Sequence, residues 1–141
     1  TQTAGTYYVR VKAYSSFSGV NLTASYIPES TGGGGGGAVQ PVNETVSNIS
    51  AARRQWTRYT YDLAAGYADF TVSMSGGSGD ADLYITHGQQ STGSSYDCRS
   101  WKSGNSESCS FANPATGTWY IDIYGYTAAS GITLSVQATP Q

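Results

Sequence analysis

Charge is what this chain has least of. Only 11% of its 141 residues are Asp, Glu, Lys or Arg, and they sum to a net charge of −2. Nucleic acid and anionic membranes are held by dense basic surfaces, so the composition excludes both as partners. Long apolar runs are also missing. None approaches the roughly 20 residues that cross a bilayer, and no basic-then-apolar signal segment opens the chain. Histidine occurs once, as His87. It follows the run "DLYIT" and precedes Gly88, where a turn-facing polar residue is ordinary. No Ser-His-Asp, Cys-His or His-Glu-x-x-His arrangement has a recognisable context. The chain is therefore expected to have no catalytic residue and not to be an enzyme by itself. Methionine occurs once and leucine is scarce, which leaves little material for helices.

What is abundant is Gly, Ser, Thr and Tyr, with a high share of β-branched and aromatic residues. That mixture favours pleated, half-buried surfaces. Five runs alternate with period 2. In "WTRYTYDL", Tyr59, Tyr61 and Leu63 oppose Arg58, Thr60 and Asp62. "ADFTVSM" sets Phe70, Val72 and Met74 on one face, and "ADLYITH" does the same with Leu83 and Ile85. "TWYIDIY" turns Trp119, Ile121 and Ile123 inward and Tyr120, Asp122 and Tyr124 outward. "GITLSVQ" adds Ile132, Leu134 and Val136. Short alternating runs between Gly, Ser, Asn and Asp clusters predict an all-β fold, an antiparallel β-sandwich of jelly-roll type with one buried face per sheet.

Three parts follow along the chain. Residues 1–26 hold two alternating runs, Thr6–Ala13 and Gly19–Tyr26, around "YSSFSG". Residues 27–43 contain six consecutive glycines and read as a flexible linker, with a reach of roughly 20–25 Å on random-coil scaling. They lack the Lys-Ser/Thr of a phosphate-binding loop. Residues 44–141 carry the continuous strand pattern. The stretch "GTYYVRVKAYSSFSGVNLTA" at Gly5–Ala24 aligns without a gap on "GTWYIDIYGYTAASGITLSV" at Gly117–Val136, with seven identities. The first part therefore reads as the closing strand pair of a preceding, truncated repeat. Its apolar face, Val9, Val11, Val20 and Leu22, lacks a partner sheet. Disorder, self-association through the hairpin and docking on the main domain are the alternatives. With Thr1 in place of a start methionine, the chain is expected to be part of a longer protein.

Two cysteines, Cys98 and Cys109, lie in "YDCRSWKSGNSESCSF". Two cysteines alone do not make a structural zinc site. A disulfide closing a short loop, worth about 3 kcal/mol on the loop-entropy model, would place the chain in an oxidising, extracytoplasmic setting. Two buried free thiols are the alternative.

Two constellations carry candidate chemistry. Asp80 and Asp82, in the Gly-rich turn "GGSGDADLY", suit a Ca²⁺ site, to which Asn43 and Glu44 would add oxygens if they folded over that turn. The competing reading has the two carboxylates bonding turn amides. The outward tyrosines Tyr120, Tyr124 and Tyr126, with Tyr84 and Trp101, offer wide contact area at low entropy cost, as binding to an extended polymer requires. Against that, tyrosine is a favoured sheet residue that packs on its cross-strand neighbours.

At "SGGSGDADLYITHG", "SSYDCRSWKSGNSESCSFANPATGTWYIDIYGY" and "SGITLSV" the sequence resembles the bacterial pre-peptidase C-terminal domain. The resemblance runs from about Glu44 to Ala138, and Thr3–Tyr26 is similar to the end of a second copy. It implies a non-catalytic β-sandwich behind the catalytic domain of a secreted subtilisin-like or thermolysin-like peptidase, with Cys98 and Cys109 paired. Secretion, processing, or attachment to an insoluble protein substrate are the roles it implies. A related collagen-binding module of clostridial collagenases takes calcium through an acidic N-terminal segment, whereas "QPVNETVSN" here has only Glu44. The fold class also occurs beside chitin-degrading enzymes, so a carbohydrate-binding module acting through a tyrosine face is the alternative function.

Overall fold

A computed structural model describes residues 38–141. The expected hairpin at 1–26 and residues 27–37 of the expected linker, with all six consecutive glycines, lie outside the described residues. Eight strands follow in order: β1 (Val42–Ala51), β2 (Trp56–Leu63), β3 (Tyr67–Ser75), β4 (Ala81–His87), β5 (Cys98–Ser100), β6 (Glu107–Ala112), β7 (Gly117–Gly125) and β8 (Ala129–Pro140). They form two antiparallel sheets of order β1-β8-β3-β6 and β2-β7-β4-β5. This is the jelly-roll arrangement, in which neighbouring strands belong to distant parts of the chain.

The alternating residues meet between the sheets. Phe70, Val72 and Met74 from β3 and Ile132, Leu134, Val136 and Ala138 from β8 face Leu83 and Ile85 from β4 and Trp119, Ile121 and Ile123 from β7. Phe70 anchors an aromatic cluster, with ring centroids 5.2 Å from Trp119 and 6.0 Å from Tyr61. Such rings add to the area they bury by tilted and offset contacts.

Cys98 and Cys109 are disulfide-bonded, with their Cα atoms 6.1 Å apart. Cys98 belongs to β5 and Cys109 to β6, which lie in different sheets, so the bond staples the two layers along one edge.

The first strand starts at Val42, two residues before residue 44. Val42 pairs with Ala138 and Asn43 with Gln137, because β8 is long enough to template a strand back to that point. The short β5, the edge strand β6 and β1 were not among the five alternating runs. A strand of three residues is too short to display a period, and β1 has register shifts at Val46 to Ile49 and Ile49 to Ala51 that break its alternation.

Candidate functional site

The turn "GGSGDAD" leads into β4 and is braced from inside. Buried Asn105 accepts a hydrogen bond from the Ala81 amide and donates to the carbonyls of Gly76 and Ser78. The Asp80 carboxylate accepts from the Gly104 amide at 3.1 Å, and the Asp80 carbonyl accepts from the Thr127 amide. This turn therefore uses Asp80 as a structural acceptor.

The expected Ca²⁺ set does not assemble. Asn43 and Glu44 lie on β1 opposite Gln137 and Val136, whereas Asp80 sits beside Thr127, at the other end of β8. Val136 and Ala129 are seven residues apart on that strand, roughly 23 Å at the rise of a β-strand. Antiparallel pairing sends β1 away from the turn rather than over it. Among the described residues no three His, Cys, Asp or Glu side chains are grouped to hold a metal ion.

The outer face of the β2-β7-β4-β5 sheet is different in kind. Trp56, Tyr124 and Asp82 form one cross-strand row, and Arg58, Asp122, Tyr84 and Arg99 the next. Trp56 packs against Tyr84 and Tyr124 at 5.0 and 4.9 Å, and Tyr84 against Tyr96 at 5.5 Å. Arg58 lies 4.6 Å over the Trp56 ring. Arg99 lies 3.2 Å over Trp101 and also faces Tyr84 and Tyr96. Rings and guanidinium groups thus alternate from the β2 edge to the β5 edge, each cation resting on an aromatic face.

Part of this face is covered. The loop from Gly88 to Asp97 folds back over it and buries Ser91 completely. The Ser91 amide donates to Asp122 Oδ2 at 2.7 Å, and its carbonyl accepts from Arg58 at 3.1 Å. Its hydroxyl shares a hydrogen bond with Thr86. Asp122, expected outward, is consequently fully buried, and it is ion-paired with Arg58 at 3.0 Å. Its Oδ1 atom meets no donor among the described residues. The same cover leaves Tyr84 buried rather than exposed, and its hydroxyl pKa is raised by that burial, with Arg99 opposing.

The five expected binding residues therefore separate. Trp101 and Tyr126 are 69% and 62% exposed, so they are free to touch a partner. Tyr124 is half-buried against Trp56. Tyr84 serves as the floor beneath Arg99 and Trp56. Tyr120 lies between Thr60 and Thr86, four residues along β7 from Tyr124 and roughly 13 Å away. It is not joined to the open end of the face.

Asp82 belongs to that open end. It is buried and its pKa is raised to about 6, first by burial and then by the nearby Asp80 and Glu107, with Arg99 opposing. Glu107 is itself engaged, accepting from the Ser100 hydroxyl and the Lys102 amide. Sequence reasoning missed Trp56 and the arginines, although "ARRQW" is a conspicuous cluster in a chain so poor in charge. His87 lies outside this face: its ring Nε2 bonds the Thr116 carbonyl oxygen at 3.0 Å and the ring packs on Trp119.

Comparison with known proteins agrees with this description. The family described as the bacterial pre-peptidase C-terminal domain matches residues 57–125. The Neutral protease of Vibrio proteolyticus is 34% identical over 116 residues, which are 82% of this chain and 18% of that protease. The Alkaline serine exoprotease A of Vibrio alginolyticus is 42% identical over 66% of this chain and 17% of its own length. The solution structure named vEP C-ter 100 superposes with a TM-score of 0.56 at 44% identity, covering 70% of this chain and 96% of that one. The chain spans under a fifth of the length of either protease, so the likeness is to one domain of a larger protein. This chain belongs to the bacterial pre-peptidase C-terminal domain family, the non-catalytic accessory domain of bacterial proteases.

Proposed function

We propose that the domain attaches a secreted peptidase to an insoluble protein substrate through the open end of the aromatic face. The observation that carries this reading is the exposure of Trp101 and Tyr126 at the rim of a ring-and-guanidinium layer whose floor is rigid. Large side chains held in place lose little conformational entropy on binding, and they are the residues that dominate contact energy. A modest patch suffices. Tethering raises the local concentration of a linked enzyme at a surface without any tight contact. The disulfide supports an extracellular location. One relative, from Xanthomonas campestris, is named Extracellular protease. The cis partner in this reading is the catalytic domain of the parent peptidase.

Co-sedimentation of the chain with insoluble collagen or fibrin tests the proposal. Enrichment over albumin is expected, falling several-fold in a Trp101→Ala/Tyr126→Ala variant that keeps its thermal midpoint. Retention no greater than that of albumin overturns the reading. Retention on chitin or cellulose alone replaces it with carbohydrate binding.

A further inference from the structure

Every cation among the described residues lies on or beside one face. Arg58 and Arg99 stand on the outer side of β2 and β5, Lys102 follows β5, and Arg53 and Arg54 form the β1–β2 turn. Their roles differ. Arg58 neutralises buried Asp122 and Arg99 is stacked on Trp101. Arg53 and Arg54 are exposed, and neither makes an ion pair with a described residue. They line a cleft of about 250 Å³ with Tyr124, Tyr126 and Thr127, and no acidic side chain shares it.

The turn that presents them is held rigidly. The Arg54 amide donates to the Gly125 carbonyl at 2.6 Å, the Gly125 amide to the Gln55 carbonyl at 3.0 Å, and the Gln55 amide to the Ala52 carbonyl at 3.1 Å. Gly125 has no room for a side chain, because a Cβ there would run into the Ala52 carbonyl. Arg54 itself adopts φ 59°, a left-handed conformation that favours glycine. The backbone alone would be better served by glycine, yet a guanidinium stands there beside a second one. Of the three residues other than glycine in this conformation, Asn48, Arg54 and Asn113, only Arg54 is not the asparagine that tolerates it best, so the guanidinium is held there against the backbone's preference.

The chemistry narrows the occupant. Paired guanidinium groups flanked by two phenols recognise a planar anion through charge-assisted, two-pronged hydrogen bonds. The volume, below the roughly 300–1,000 Å³ of sites that bury drug-sized ligands, is ample for one acidic side chain. The exposed Tyr126 ring and the half-buried Tyr124 ring beside it suit the apolar and backbone portions of an extended chain. The rest of the protein is net negative, so an acidic partner is repelled elsewhere and drawn here.

We propose that the cleft between the β1–β2 and β7–β8 turns seats a glutamate or aspartate side chain of an extended polypeptide. It is the charged anchor of the attachment surface. This rests on the protein-attachment reading above and names the kind of segment that surface selects.

The test is a titration of the full chain with poly-L-glutamate at low and high salt, followed by interferometry. Saturable binding that weakens with salt is expected. An Arg53→Ala/Arg54→Gly variant should bind at least roughly tenfold more weakly, as loss of charge-assisted bonds predicts. Glycine suits the left-handed position, so this variant keeps its fold. Arg53→Lys/Arg54→Lys should recover only part of the loss, because lysine lacks the planar fork. Lys102→Ala should change affinity by less than twofold. The proposal is overturned if the Ala/Gly variant binds as the parent does, if Lys102→Ala weakens binding equally, or if poly-L-lysine binds as well. Tighter binding of polygalacturonate overturns the polypeptide assignment. Unaltered co-sedimentation of the Ala/Gly variant with insoluble collagen or fibrin defeats the cleft but leaves attachment standing. Absence of sedimentation by the parent chain defeats attachment itself.

Discussion

The two outer faces of this sandwich are built on similar scaffolds and share almost no chemistry. On the β1-β8-β3-β6 sheet the outward rows read Asn43, Gln137, Thr71 and Ser110, then Thr45, Ser135, Ser73 and Ser108. Those short polar groups satisfy one another or water, as in the 2.9 Å contact between the Thr71 and Ser110 hydroxyls. On the β2-β7-β4-β5 sheet the outward rows carry tryptophan, tyrosine, arginine and aspartate, with a loop packed over part of them. The first face carries no ion pair among the described residues. The second contains a buried ion pair, a protonatable carboxyl and a stack of rings, each depending on its neighbours. Investment of that kind on one face and not on the other is what supports the proposed attachment surface.

Mutations that contrast the faces should show this difference most clearly in stability. Arg58→Ala should have the largest effect, about 3–5 kcal/mol in urea unfolding, because it strands the fully buried Asp122 charge. A loss below about 1 kcal/mol would mean that the loop over Asp122 opens easily and that the face is not a fixed floor. Asp82→Asn probes the open end and should have a smaller effect of opposite sign. The folded-state pKa of about 6 lies above the ordinary carboxylate value, so an ionised Asp82 destabilises the fold at neutral pH. The variant should gain roughly 1 kcal/mol at pH 7.5, after discounting for screening. The gain should shrink as pH falls through about 6 and vanish below about 4, where the wild-type carboxyl is protonated in both states. Thermal midpoints across that range would check it, and a gain independent of pH would assign the effect to something other than ionisation. Thr71→Ala, on the opposite face, should move stability by no more than about 0.5 kcal/mol. A larger change there would erase the contrast between the faces.

How much could be read without the fold follows the same division. Inward residues were legible because burial between two layers imposes strict alternation, and Phe70, Val72, Leu83, Ile121, Ile123, Ile132 and Leu134 obey it. Outward residues were not. Asp122 and Tyr84 sit at positions that alternation assigns to solvent, and both are buried because the loop from Gly88 to Asp97 returns over them. Nothing local to β4 or β7 announces that cover. The expected calcium set does not come together for a related reason: Asn43 and Glu44 stand at the junction of linker and domain, but pairing with the far end of β8 carries them away from Asp80. Trp56 and Arg53 went unnoticed because their partners, Tyr124 and Tyr126, lie about seventy residues further along the chain.

Local pattern alone determined that this polypeptide folds as a two-layered β-sandwich with a defined core, because a period of two says which side of each strand is apolar. It also supplied the two cysteines that staple the layers. Only the tertiary structure decided which outer face is elaborated, what the long loop conceals, and which arginines lack an acidic partner among the described residues. Those properties depend on contacts between segments far apart in sequence, and the alternation of one strand carries no information about what lies across from it.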